Sequence, residues 1–209
     1  MTVIDKLASS LGRRDEIPNQ ELAKQIAGAG DKKAVKELVE NLANKNKNIQ
    51  NDCIKTLYEV GNLKPSLITM YASTFIQLLD HKNNRLQWGA MTALNSIAIY
   101  VPKIVFAALP KLAAIADKGT VITRDNFVGM LTKLCPVKEY ADDVFSLLNE
   151  QLLTCPPNQL PMYAENAIAV ISEKNRAIFT KTLVSRISDF EKESKRRRIE
   201  KLLKKLQSK

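Results

Sequence analysis

The chain has 209 residues, of which 45% are hydrophobic, 26% charged and 6% aromatic, and its 32 Lys plus Arg against 22 Asp plus Glu give a net charge of +10. That apolar content can build a continuous core and excludes global disorder, while seven Gly and eight Pro are too few for a collagen-like or low-complexity chain. Three cysteines (Cys53, Cys135, Cys155) and one histidine (His81) stand far apart in no paired spacing, which excludes a disulfide framework and a Cys/His zinc site.

The opening Met-Thr-Val-Ile-Asp has no basic segment followed by an apolar stretch, so no signal peptide is expected. Apolar runs such as Ile104 to Leu109 stop far short of the ~20 residues of a spanning helix. With reduced thiols, a cytoplasmic chain is expected, binding no metal and no cofactor.

From Glu21 to Gly30 the pattern is that of a helix with Leu22 and Ile26 on its apolar face. A repeat then begins. Val35, Leu38, Val39 and Leu42 lie 37 residues before Ala72, Phe75, Ile76 and Leu79, and the same step leads to Leu109, Leu112, Ala113 and Ala116. In the fourth unit the equivalents Phe145, Leu148 and Leu152 slip by about one residue. Each of these first helices is followed by a second. Cys53, Leu57 and Val60 recur as Ala90, Leu94 and Ile97, as Phe127, Leu131 and Leu134, and as Ala164, Ile168 and Ile171. Thr56, Ala93, Met130 and Ala167 form a further column. Apolar positions at i, i+4 and i+7 make one stripe of an amphipathic helix.

Polar turns join the pairs: Asn44 to Asn48, His81 to Asn84, Lys118 to Thr120, and Cys155 to Asn158. Pro65, Pro102 and Pro110 are placed where first helices begin, and Pro161 near the start of a second helix. The predicted fold is all-α, a right-handed α-α superhelix of about five helix pairs. Its single domain, 1–209, divides into an N-terminal cap 1–30, regular units 31–64, 65–101, 102–138 and 139–175, and a basic C-terminal cap 176–209.

The unit resembles a HEAT repeat, in Phe75 to Asp80, the turn, and Arg85 to Ala98. Asp80 and Asp117, again 37 apart, match the acid such units often carry at the end of the first helix, and Arg85 the basic residue opening the second. Ala43 and Thr154 depart from the acid. The likeness covers about 31–174, and it implies an armadillo-like array whose second helices line a concave face.

Register assigns Cys53 and Cys135 to the core and His81 to a solvated turn, while Cys155, before two prolines, is expected to be exposed. Asp142 and Asp143 suit the N-terminal end of a helix dipole. No phosphate loop, nucleophile elbow or metal spacing is present in the sequence, so no enzyme is expected.

Trp88 stands apart, because its equivalents Asn51, Asp125 and Met162 form a mostly polar column. It either lies flat on the neighbouring unit and finishes the core, or anchors a partner in the groove. Arg85 and Thr92 flank it by one turn, and Asn51, Lys55, Gln87, Asn95, Arg124, Asp125 and Lys133 share its ridge. The leading expectation is a non-catalytic scaffold binding a protein partner through Trp88, Arg85, Thr92, Asn51, Lys55, Arg124 and Asp125. The alternative is a DNA-binding protein related in architecture to alkylpurine DNA glycosylases, whose catalytic acid has no match here beyond Asp125. An assembly factor or lyase-like protein is a third class that no residue singles out.

Charge is uneven. The last 29 residues carry eleven Lys plus Arg against four Asp plus Glu, while the preceding 180 hold 21 against 18. Ile187, Phe190, Ile199, Leu202, Leu203 and Leu206 keep a helical spacing there, interrupted by Lys195, Arg196, Arg197 and Arg198. These four read as the charged face of a terminal cap, as an anion-binding site for nucleic acid or acidic protein, or as part of a membrane-surface helix.

Overall fold

The structure is a computed structural model describing residues 2–207, among which eleven α-helices and short 3₁₀ turns occur and no strand. The residues form two compact units, one ending at Phe127 and one beginning at Val128. The first holds α1 (Ile17–Ala29), α2 (Lys32–Glu40), α3 (Lys47–Leu63), α4 (Ala72–Leu78), α5 (Asn84–Ile97), α6 (Pro102–Lys118) and the start of α7 (Val121–Leu134). The second holds the rest of α7, then α8 (Ala141–Thr154), α9 (Leu160–Ala167), α10 (Glu173–Ser185) and α11 (Glu193–Gln207).

The polar turns start the helices. Asp31 Oδ1 accepts from the backbone N–H of Lys33 at 3.0 Å and of Ala34 at 2.9 Å, capping α2. Asn46 caps α3 through Asn48 N–H at 2.9 Å, and Asn83, one repeat later, caps α5 through Arg85 N–H at 3.0 Å. Each bond satisfies a donor the first turn would leave unpaired. Gly30 ends α1 at φ 67°, a left-handed conformation that glycine adopts without strain.

Two layers follow in each unit. In the first, α3 packs between α1 and α5, with α2 on α3 and α4 on α5. In the second, α9 packs on α11 and α8 on α10. The repeat columns are the core of these layers. Cys53, Leu57, Val60, Ala90, Leu94, Ile97, Phe127, Leu131 and Leu134 are all fully buried. Burial pushes the Cys53 thiol up to about 12, helped by the charges of Asp52 and Glu37, so it stays protonated at neutral pH. Among the first helices Val35, Leu38, Phe75, Leu79 and Leu112 are buried, while Val39, Ile76 and Ala113 are half-buried in the same column. Phe145, Leu148 and Leu152 are buried and Leu153 is exposed, which is the one-residue slip of the fourth unit.

Four positions differ from the sequence reading. Pro110 lies inside α6 rather than at a helix start. It is exposed, so the missing N–H falls on the solvent side, where an interrupted turn costs least. Cys155 is buried rather than exposed, its thiol donating to Leu152 C=O at 3.7 Å. Arg186 folds over the same spot. Its Nη1 donates to the carbonyls of Leu152 at 2.8 Å and Leu153 at 2.9 Å, and its Nη2 to that of Cys155 at 2.9 Å. A guanidinium thereby caps the carbonyl end of α8. Finally, α9 ends at Ala167, and the chain continues as a 3₁₀ turn, Ile168–Val170. Ile168 and Ile171, expected in the core columns, are therefore only half-buried.

The seam between α3 and α5 is tight. A Cβ placed on Gly89 would stand 2.5 Å from Ile54 Cγ1 and 3.2 Å from Ile54 Cγ2. A β-branched side chain has little rotamer freedom in a helix with which to retreat. Gly89→Ala should lower stability by about 1–3 kcal/mol in urea unfolding, and by clearly less when Ile54 is also Ala. Equal cost in both backgrounds would show that the two helices do not meet at this point.

Candidate functional site

The ridge singled out by Trp88 is built on α3 and α5, within the first unit. Tyr58 and Glu59 lie one turn from Lys55 on α3, and Arg85 and Trp88 lie one turn apart on α5. The tilted rings of Tyr58 and Trp88 have centroids 5.9 Å apart. Arg85 places its guanidinium carbon 4.5 Å from the Trp88 ring centre, and Lys55 Nζ stands 4.9 Å from that of Tyr58. Trp88 is half-buried, so it fills the seam with Tyr58 and keeps part of its indole in solvent.

Carboxylates tie the cations together. Glu16, in the turn before α1, pairs with Arg85 through one oxygen and with Lys55 Nζ at 3.0 Å through the other. Glu59 takes a second bond from Lys55 at 2.7 Å. Lys55 is buried, its side chain only 7% exposed. Burial opposes its charge, yet the hydrogen bonds to Glu59 and Tyr58 outweigh this and hold the ammonium above its ordinary pKa. Desolvation acts on Arg85 in the same sense and there prevails, lowering its pKa. Two cations thus meet two anions, and the cluster carries no net charge.

The remaining ridge residues are also engaged. Asn51 accepts from Asn83 Nδ2 at 2.9 Å, and a second acceptor, Gln50 Oε1, lies at 3.1 Å. Thr92 Oγ1 donates to Trp88 C=O at 3.0 Å and accepts from Asn126 Nδ2 at 3.0 Å. Asn126 Oδ1 also accepts from Asn95 Nδ2 at 3.0 Å, so polar side chains link α5 to α7. Arg124 lies 3.7 Å from Asp117, and Asp125 is half-buried on α7. Lys55, Arg85 and Trp88 thus share one cluster, with Asn51 and Thr92 at its margins. Asp80, the other acid of the repeat signature, pairs with Lys111 at 2.6 Å. Sequence reasoning missed Glu16, which lies outside the repeat and leaves no periodic signal. It also passed over Glu59, although the i, i+4 spacing from Lys55 was there to be read.

In the second unit the basic quartet is paired. Lys195 donates to Asn158 C=O at 2.7 Å, Arg196 meets Glu200 and Arg197 meets Glu193, each at 3.1 Å. Arg198 holds Glu165 with two bonds, of 2.7 and 2.5 Å. That pairing, with the charges of Lys201 and Lys205 behind it, keeps the Glu165 carboxyl below its ordinary value.

His81 is exposed in its turn, with Nδ1 accepting from Asn83 N–H at 2.9 Å. Among the described residues no group of three His, Cys, Asp or Glu could hold a metal ion. No helix among them is long and apolar enough to cross a membrane.

No protein-family model matches the chain, and no curated protein sequence does. Solved structures do match. Two crystal structures of engineered proteins from the Northeast Structural Genomics Consortium align over 100% of the chain. One has a TM-score of 0.61 at 16% identity and is covered over 98% of its length; the other has 0.62 at 19% and is covered over 100%. A designed armadillo repeat protein in complex with the peptide (KR)4 aligns over 90% of this chain and 86% of its own, with a TM-score of 0.66 and 15% identity. At these identities the likeness is one of fold: the chain is all-helical and folds like these engineered proteins and the designed armadillo repeat protein.

Glu16 should prove necessary for the cluster. Glu16→Gln should cost about 1–2 kcal/mol, below the figure for a fully buried pair because the carboxylate is partly exposed. Urea unfolding followed by the emission of Trp88, the single tryptophan, measures it. In a Lys55→Met background the cost should shrink, and an unchanged cost would show that Glu16 and Lys55 are not coupled.

Proposed function

We propose that the protein is a non-catalytic scaffold that binds a segment of a protein partner on the second-helix ridge around Trp88. The observation that carries this reading is a half-buried tryptophan fixed by Tyr58 and Arg85 in a charge-neutral setting. A fixed aromatic ring with one part exposed offers contact area with little loss of rotamer freedom on binding, as at protein-binding hot spots. The designed armadillo protein of similar fold, which is in complex with a peptide, supports the same use of the fold.

Duplex binding has weaker support. Phosphate recognition needs cations whose charge is available, and Lys55, Arg85 and Arg124 on this ridge each pair with a carboxylate. Asp125 has no second tryptophan near it in sequence to frame a flipped base.

Capture of a copurifying partner by the tagged chain tests the reading. Trp88→Ala should weaken capture at least about tenfold and Arg85→Ala should weaken it measurably, with unchanged circular dichroism. Binding of the wild type should quench or shift Trp88 emission. Capture indifferent to both substitutions, or duplex binding with a steep salt dependence that Trp88→Ala abolishes, would overturn it.

A further inference from the structure

Where α9 stops early, the second unit leaves apolar side chains uncovered. Ile168 and Ile171 occupy columns that the preceding units bury completely, as Leu57, Leu94 and Leu131, and as Val60, Ile97 and Leu134. With Ala169 and Leu206 they form the floor of a cleft of about 680 Å³, within the size range of ligand pockets. The rest of its lining is cationic: Arg176 on α10, and Lys201, Lys204 and Lys205 on α11. Arg176 pairs with Glu173 on its own helix. Lys201 and Lys205 are exposed, and neither forms an ion pair among the described residues.

We infer that this cleft binds a short acidic, amphipathic peptide segment, which sets apolar side chains on Ile168, Ile171 and Leu206 and its carboxylates against the lysine rim. Charge complementarity selects the occupant. The charged side chains that line the cleft are all cations and outnumber the nearby Glu165 and Glu173, so a carboxylate-bearing segment gains Coulomb attraction on approach while its apolar side chains displace water from the floor. A nucleic acid would use the cations but not the floor, because no aromatic ring lines the cleft for a base to stack on. A bilayer surface would call for protruding apolar side chains, whereas Ile168, Ile171 and Leu206 line a cleft and are half-buried. The site is separate from the Trp88 ridge and does not depend on that reading.

Fluorescence anisotropy on the full chain tests it, with a fluorescein-labelled helical peptide carrying Leu at i, i+3, i+4 and i+7 and Glu at the flanking positions. A peptide with Ser in place of Leu, a single-stranded oligonucleotide and vesicles of phosphatidylserine serve as the other arms. The Leu/Glu peptide should bind, and the Ser/Glu peptide should bind at least about tenfold more weakly. Lys201→Glu with Lys205→Glu should weaken binding by about tenfold or more, as should Ala169→Trp, which obstructs the floor. These positions are exposed, so circular dichroism should be unchanged. Absence of binding, equal binding of the Ser/Glu peptide, or tighter binding of the oligonucleotide or vesicles through the same lysines would overturn the inference. So would binding that survives both sets of substitutions.

Discussion

The close approach of α3 and α5 is the constraint on which the first unit depends. It exists because position 89 has no side chain, so that Ile54 can occupy the space a Cβ would take. Cys53 and Ala90 keep adjacent positions small, and Leu57, Val60, Leu94 and Ile97 complete a seam from which water is excluded. At interior packing density such a seam has few alternative arrangements. Trp88 lies at its margin, against Tyr58, and inherits its fixed position. The ridge is preorganised because the core beneath it cannot shift independently.

Charge follows the same division between core and margin. Lys55 is the buried cation of the first unit, tolerated because Glu16 and Glu59 both bond to it. Removal of one ion from such a set leaves the other facing a low-polarity environment, which makes the cluster a determinant of local order more than a source of net stability. In the second unit the arginines of the basic run are matched with glutamates, while Lys201 and Lys205, one turn later, are exposed and form no ion pair among the described residues.

The fold was readable because a 37-residue step, once found, constrains every unit at once. The buried columns, the asparagine caps at positions 46 and 83 and the one-residue slip near Phe145 all follow from that periodicity. What escaped it was local or aperiodic. Pro110 continues through a helix because its face is wet, which no column encodes. Cys155 is buried under Arg186, a residue 31 positions away that reaches back to the end of α8. Ile168 and Ile171 share the repeat's spacing but not its burial, since helix length is set by where α9 ends rather than by the apolar pattern. Of the candidate site, Arg85, Trp88 and Lys55 were visible as a ridge, while Glu16 was not, because it joins them from outside the array.

Hydrogen exchange of the chain, alone and with its captured partner, measures most directly whether the second-helix ridge is the binding surface. Added protection should concentrate on the amides of α3 and α5, in residues 47–63 and 84–97, with α2 and α6 unchanged. Protection confined to α2, α4 or α6, with exchange in α3 and α5 as in the free chain, would contradict the account.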